Sequence, residues 1–144
     1  MTVLGSILLL KVTDIDELKD AAIAFIDNGG GDGKIDEGEP TGPCNYCKGE
    51  RSIKSSDHPN KAIISVQSDR GTEYGTYLKV QNELIRAYSD LRNILSKERY
   101  GIPFPELEDS YKDDRANLEL KKKVEDIKRS YPEIISDSEP TSSN

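Results

Sequence analysis

The sequence predicts an α/β fold: a small mixed sheet covered on one face by two or three helices. Two short apolar runs, residues 4–12 and 62–67, are rich in strand-favouring residues, and each precedes apolar residues at helical spacing. This strand–helix–strand–helix order indicates a parallel crossover between the two strands. The 144 residues are expected to form one domain over residues 1–140, followed by a disordered tail at 141–144.

The first helix is expected to begin after Asp14. Asp14 suits an N-cap, and Glu17 lies three residues further on, which is the spacing of a capping box. One apolar stripe follows at helical spacing: Ile15, Leu18, Ala22, Phe25 and Ile26. Asn28 and Gly29 should end the helix, because both accept the left-handed backbone of a C-cap.

Residues 28–60 predict a long irregular loop, because they are rich in glycine and proline. A loop of this length in a compact domain is usually functional. The strand after it, residues 62–67, is expected to be central, since Ile63 and Ile64 would make it apolar on both faces.

The C-terminal half predicts two helices and a last strand. The first helix covers residues 73–97, and the second covers 115–130 and ends before Pro132. Helix breakers lie between them: Gly101, Pro103 and Pro105. A short strand is expected at residues 133–136, with a polar tail from Ser136 onward.

Composition excludes several classes of protein. The formal net charge is −7, so a nucleic-acid partner is not expected. The longest apolar run, residues 21–26, is far shorter than the ~20 residues that a membrane-spanning helix needs. The chain has one His and neither a dinucleotide loop, a Gly-x-Ser-x-Gly elbow nor a Walker loop. We therefore predict no enzymatic activity and no cofactor.

Residues 27–39 partly match a calcium-binding loop. With Gly33 as the turn glycine, several residues fall at ligand positions: Asp32, Ile35, Asp36 and Glu39. However, the first ligand would be Asn28, and the third would be Gly30, which has no side-chain oxygen. We interpret this segment as an acidic loop and predict no metal site.

Cys44 and Cys47 form a C-x-x-C pair, which is typical of a redox motif, half a zinc site or a short-loop disulfide. No helix pattern follows the pair, so redox catalysis is disfavoured. Zinc would need two further ligands, for which Asp57 and His58 are candidates. Because His58 precedes Pro59, we expect it to be an exposed loop residue. A structural disulfide is favoured, with free thiols and a metal site as alternatives.

Residues 61–88 read as an apolar strand that ends in Asp, a short turn, a Tyr and an apolar-faced helix. This pattern resembles the periplasmic domain of the ExbD/TolR biopolymer-transport family. The resemblance is carried by Asp69, Arg70, Gly71, Thr72, Tyr74, Gln81, Asn82 and Glu83. Segments at 44–57 and 131–140 are also similar to the Bacteroidetes-type ExbD branch, so the resemblance covers roughly residues 40–140.

The resemblance implies a non-enzymatic subunit of an inner-membrane complex that uses proton-motive force for TonB-dependent outer-membrane transport. The implied partners are a TonB-like protein and an ExbB-like channel subunit, and the implied oligomer is a homodimer in the intact complex. The implied location is the periplasmic face of the inner membrane. The family has an N-terminal transmembrane helix, so we expect this chain to be a soluble truncation of a single-pass protein. An oxidising periplasm also supports pairing of Cys44 with Cys47.

The expected route of recognition is pairing of a partner backbone with an exposed strand. Candidates for that strand are Glu133, Ile134, Ile135 and Ser136, or the strand at residues 4–12. Two other functions remain alternatives. One is a TolR-like domain that stabilises the envelope and contacts peptidoglycan, and the other is an extracellular module that binds calcium or zinc through residues 27–58.

Overall fold

The computed structural model describes residues 2–5, 9–11, 15–31, 35–36, 39–40, 44–67, 71 and 73–138. Its strands and α-helices follow in the order β1 (Thr2–Gly5), β2 (Leu9–Lys11), α1 (Leu18–Ile26), β3 (Ile35–Asp36), β4 (Glu39–Pro40), β5 (Ile64–Gln67), α2 (Tyr74–Tyr100), α3 (Phe104–Asp113), α4 (Leu118–Ser130) and β6 (Ile135–Ser138). Short 3-10 turns at Ile15–Glu17 and Pro59–Lys61 precede α1 and β5.

The main sheet has four strands in the order β2-β1-β5-β6. β1 is antiparallel to both of its neighbours, whereas β5 and β6 are parallel. The sheet is therefore mixed, as predicted, and β5 is a central strand. The short strands β3 and β4 pair with each other in a separate ribbon.

The prediction of a single strand over residues 4–12 is wrong. β1 and β2 form an antiparallel pair in which Val3 lies opposite Leu10. The predicted parallel crossover is also wrong for β1, which is antiparallel to β5. The strand that comes before α1 is β2, and β2 and β5 run in the same direction. The predicted parallel crossover therefore holds from β2 to β5. Periodicity within an apolar run does not reveal where that run folds back on itself.

α1 begins later than predicted. Its first residue is Leu18, after a 3-10 turn, and Glu17 takes the N-cap position without a side-chain capping bond. The predicted cap, Asp14, lies outside the described residues. The predicted apolar stripe is confirmed, because four of its members are buried: Leu18, Ala22, Phe25 and Ile26. α1 ends at Ile26, and Gly29 has the left-handed φ of +66° that turns the chain away.

The core lies between one face of the sheet and the helices. Side chains from five elements are fully buried there: Ile26, Ile64, Leu84, Leu107 and Ile127. α1 packs on α2, and α3 packs on α4. The prediction that β5 is apolar on both faces is wrong. Ile64 and Val66 are buried on one face, whereas Ile63 precedes the strand and is exposed.

α3 is absent from the sequence prediction. Pro103 is its N-cap residue, and Pro105 lies in its first turn, where a missing N–H breaks no helical hydrogen bond. The prolines that suggest a break therefore begin a helix. With α3 included, the described residues contain four α-helices instead of two or three.

The C-terminal elements are close to their predicted positions. α4 begins at Leu118, because the Asn117 side chain caps it by accepting from the N–H groups of Glu119 and Leu120. β6 lies two residues later than predicted, at Ile135–Ser138. The predicted tail at 141–144 lies outside the described residues. No helix that the structure describes is long and apolar enough to cross a membrane.

Leucines in two environments on α2 offer a test of the core. Leu84 is fully buried, whereas Leu78 is 41% exposed. Replacing Leu84 with Ala should lower the free energy of unfolding by about 3 kcal/mol, because it removes buried apolar atoms and leaves a cavity. The matched change Leu78→Ala should cost less than about 1 kcal/mol, since that side chain is already partly in water. Denaturant unfolding of both variants measures the difference.

Equal losses of unfolding free energy for Leu84→Ala and Leu78→Ala would contradict the burial of Leu84 in the core. Such a result would mean that α2 buries a different face from the one that contains Leu84.

Candidate functional site

The strongest candidate for a functional site is the strand β6, which is an end strand of the sheet over the described residues. The residues predicted to bind a partner fall at its start. Glu133 and Ile134 lead into the strand, and Ile135 and Ser136 are its first two residues. The other predicted edge also exists in part, because β2 lies at the opposite end of the sheet.

The register of β6 determines which of its backbone groups can pair with another chain. The Ile64 N–H donates to the Ile134 carbonyl over 3.0 Å, and Ile64 is in register with Ile135. Backbone groups alternate in direction along a strand. The N–H and C=O groups of Ile135 and Asp137 therefore point away from β5, toward the open edge.

Buried groups of α2 hold the chain that leads into β6. The Tyr88 hydroxyl accepts from the Ile134 N–H over 3.4 Å, and Arg92 donates from Nε to the Tyr131 carbonyl over 3.0 Å. Burial raises the pKa of Tyr88 to about 12, so its hydroxyl is neutral at physiological pH. Arg92 also lies 3.5 Å from the Glu133 carboxylate. These contacts fix the position at which the edge strand begins.

Asp27, just after α1, is a buried carboxylate that joins three parts of the chain. Its Oδ1 accepts from the Tyr131 hydroxyl over 2.6 Å, and its Oδ2 accepts from the Lys48 N–H over 3.1 Å. Burial raises the pKa of Asp27, although these hydrogen bonds and the charges of Lys48 and Arg51 oppose that shift. The end of α1, the loop at residues 44–48 that contains both cysteines (the cysteine loop) and the end of α4 therefore meet at one side chain.

Cys44 and Cys47 form a disulfide, and both residues are buried. Tyr46, which lies between them, donates its hydroxyl to the Ser130 carbonyl over 2.7 Å. Its ring also packs edge-on against Tyr131, with centroids 5.3 Å apart. In a chain-entropy account, closing so short a ring contributes about 2 kcal/mol to stability. The disulfide therefore holds the side chain that packs on the end of α4.

Asn28 organises the rest of the loop through its side-chain amide. Nδ2 donates to the carbonyls of Ser52 and Ser56 over 2.9 and 2.7 Å, and Oδ1 accepts from the Ser52 N–H over 3.0 Å. The hydroxyl of Ser56 in turn donates to the Phe25 carbonyl. The predicted long loop is therefore tied closely to the end of α1 over residues 44–58.

The prediction that His58 is exposed is wrong. The residue is only 9% exposed, and its Nδ1 accepts from the Asn60 N–H over 3.2 Å as the N-cap of the turn at Pro59–Lys61. Its ring also packs edge-on against Tyr46, with centroids 5.8 Å apart. His58 therefore caps a turn and packs against the cysteine loop.

Of the residues that carry the family resemblance, those that the structure describes are Gly71 and four residues in the first half of α2. Asp69, Arg70 and Thr72 lie outside the described residues, and Gly71 is in a turn. Tyr74 and Asn82 are exposed on α2. This exposed surface differs from the buried side of α2, where Tyr88 contacts Ile134.

Tyr74 and two more of these residues, Gln81 and Glu83, make contacts along the same helix. Tyr74 stacks on Tyr77, with ring centroids 6.4 Å apart. Gln81 donates to the Tyr77 hydroxyl over 3.3 Å, and Glu83 pairs with Arg86 at 2.7 Å. These contacts are local to α2.

A cavity of about 20 Å³ lies between Asp27, Tyr46, Leu91 and Tyr131. It is large enough for one water molecule. A substrate would not fit there, so we interpret the Asp27 cluster as a support for the chain segments that it joins.

The sequence reasoning missed this cluster completely. Asp27 is 104 positions from Tyr131 along the chain, and only the tertiary fold brings the two side chains together. One local signal was present: two polar residues, Asp27 and Asn28, follow directly on a fully apolar helix end, where the C-terminal carbonyls need partners.

Comparison of the chain with protein-family models, with curated proteins and with solved structures found no match.

The buried Asp27 predicts a specific dependence of stability on pH. Because its folded pKa is raised above the ordinary value of 3.8, the stability it contributes is fully present below that value and is lost as pH rises through the folded pKa. Asn at this position cannot titrate. The unfolding free energy of the native protein minus that of Asp27→Asn should therefore fall as pH increases from about 3 to about 7.

Urea unfolding of the two proteins at a series of pH values gives this difference directly. A difference that stays flat, or that rises with pH, would contradict the effect of burial on Asp27.

Proposed function

We propose that this chain is a non-enzymatic interaction domain that binds an extended segment of a partner protein along β6. The observation that carries the proposal is the outer edge of that strand, where Ile135 and Asp137 direct N–H and C=O groups away from the sheet. A partner strand can satisfy these groups by extending the sheet.

The support beneath β6 favours this role. Tyr88 and Arg92 bind the backbone at Ile134 and Tyr131, so the edge is held in place before a partner arrives. An ordered edge loses little conformational entropy on binding, and this raises affinity. An ordered strand edge of this kind therefore suits an extended partner segment.

The identity of the partner comes from the family resemblance. On that basis the chain is the periplasmic domain of an ExbD-like subunit. Its α/β fold would then be that of the ExbD/TolR periplasmic domain. Its partner at β6 would be the periplasmic segment of a TonB-like protein. In the intact complex it would be a homodimer with an ExbB-like channel subunit at the inner membrane, and it would serve TonB-dependent transport.

Internal contacts disfavour the metal-binding alternative. Both carboxylate oxygens of Asp27 and the amide oxygen of Asn28 already accept hydrogen bonds. Cys44 and Cys47 are joined to each other, so they offer no thiolate to zinc. A metal would have to displace these contacts in order to bind at these residues. Of the other predicted calcium ligands, Asp32 and the side chains of Asp36 and Glu39 lie outside what the structure describes.

Substitutions at Asp137 test the proposal. Proline there removes an N–H that points to the open edge, and it leaves the bonds on the β5 side intact. Asp137→Pro should weaken binding of the TonB-like periplasmic segment by about tenfold or more, since a hydrogen bond is lost and the ring obstructs pairing. Asp137→Ala is the matched control, because it removes the same charge and keeps the N–H. An NMR titration of each labelled protein gives the affinity.

In the native protein, the shift changes should concentrate at residues 135–138. Equal affinities for the two variants would contradict strand pairing at β6. No shift change at millimolar peptide, with a folded protein, would contradict direct recognition by this chain. The TolR-like role at peptidoglycan, or binding that requires the intact dimer, would then replace it.

A further inference from the structure

The disulfide and the edge strand are connected through a short series of contacts. Tyr46 lies inside the ring that the disulfide closes, and it touches both Ser130 and Tyr131 at the end of α4. The Arg99 guanidinium covers the Tyr46 ring at 5.2 Å from its centroid and lies 3.1 Å from the Ser130 hydroxyl. The half-buried Tyr46 side chain therefore extends from the disulfide-closed loop to the end of α4.

The disulfide is also pressed against the end of α1. A Cβ atom added at Gly29 would lie 2.8 Å from the Cβ of Cys47, which is closer than side chains approach one another. Arg51 donates to the carbonyls of Cys47 and Gly29 and so holds the two segments together. The loop is therefore held on the side of α1, and through Tyr46 it contacts Arg99 of α2, the end of α4 and the first residue of the chain that leads to β6.

That chain has four residues between α4 and β6. Tyr131 is bound by Asp27 and Arg92, and Ile134 is bound by Tyr88 and by Ile64 of β5. Tyr131 is thus both the residue that Tyr46 packs against and the first residue of the connection. Tyr131 therefore connects Tyr46 to the chain that leads into β6.

We infer that the Cys44–Cys47 disulfide is a redox-dependent clamp on β6. In the oxidised protein the ring holds Tyr46 against Ser130 and Tyr131 and keeps the edge strand in its binding position. In the reduced protein the backbone of residues 44–47 gains freedom, Tyr46 leaves the end of α4, and β6 loses order. The inference rests on the proposed function in one respect only, the consequence for partner affinity.

The reduction step needs a dithiol reductant. One thiolate of the dithiol attacks Sγ of Cys47, the S–S bond breaks, and Cys44 leaves as a thiolate that takes up a proton. The second thiol of the reductant then displaces Cys47 from the mixed disulfide. Two cysteine thiols and the oxidised, cyclic reductant result. Because both cysteines are buried, attack requires the loop to open first.

Amide hydrogen exchange on the full chain tests the clamp without any partner. The rate at Ile134 is compared with the rate at Ala87, in the middle of α2, with and without dithiothreitol. The ratio of the two rates should rise by about tenfold or more on reduction, because β6 opens locally while α2 stays folded. An unchanged ratio would overturn the clamp.

Two variants separate this local effect from a general loss of stability. Leu107→Ala lowers stability from α3, which lies outside the loop and outside the chain that leads to β6, so in the oxidised state it should not raise the ratio. A rise as large as that on reduction would mean that the ratio reports general stability, which would overturn the clamp. Tyr46→Ala keeps the disulfide and removes the contacting ring. It should raise the ratio to the reduced level, with little further rise on reduction. A full further rise in Tyr46→Ala would show that the disulfide acts by another route, which would overturn the role of Tyr46.

Partner affinity supplies a separate readout. Reduction should weaken binding of the TonB-like segment by about tenfold, in parallel with the exchange ratio. If the ratio rises but the segment binds neither form, the proposed function fails and the clamp stands. If the ratio is unchanged on reduction and the segment binds both forms of the protein equally at β6, the proposed function stands and the clamp fails.

Discussion

Asp27 is the constraint on which the arrangement of this protein depends. A carboxylate buried among apolar side chains is costly unless its oxygens have hydrogen-bond donors, and here the donors come from distant parts of the chain. The Tyr131 hydroxyl, just after α4, and the Lys48 N–H, in the cysteine loop, supply them. The need to satisfy one buried group therefore holds the cysteine loop and the end of α4 against α1.

The contact at Asp27 bears on the candidate site because Tyr131, which Asp27 binds, is close to β6 along the chain. Tyr131 lies four residues before Ile135, the first residue of β6, and its carbonyl is held by Arg92. Polar side chains of α2 thus hold the chain that leads into β6, and the outer edge of β6 has open backbone groups. Polar anchors define direction and distance, whereas apolar packing alone would let a short terminal strand shift its register. Such an edge can present the same hydrogen-bonding pattern to each partner molecule.

The sequence predicted the parts of the fold that local patterns determine. The α/β class, α2, α4 and a last strand near Ile135 all follow from periodicity and breakers. The pairing of β1 with β2 and the helix α3 were not predicted, because periodicity does not show that one apolar run supplies two strands, and prolines in a first helical turn resemble a helix break. The burial of His58 and the meeting of Asp27 with Tyr131 depend on contacts between distant residues, which no local pattern encodes.

Strand pairing at β6 can be observed by hydrogen exchange in the complex with the proposed partner, the TonB-like segment. Pairing predicts an alternating result along the strand. The amides of Ile135 and Asp137 should become protected on binding, whereas the amide of Ser136, which faces β5, should change little. Uniform protection, or protection confined to the exposed surface of α2 around Tyr74, would contradict pairing at this edge.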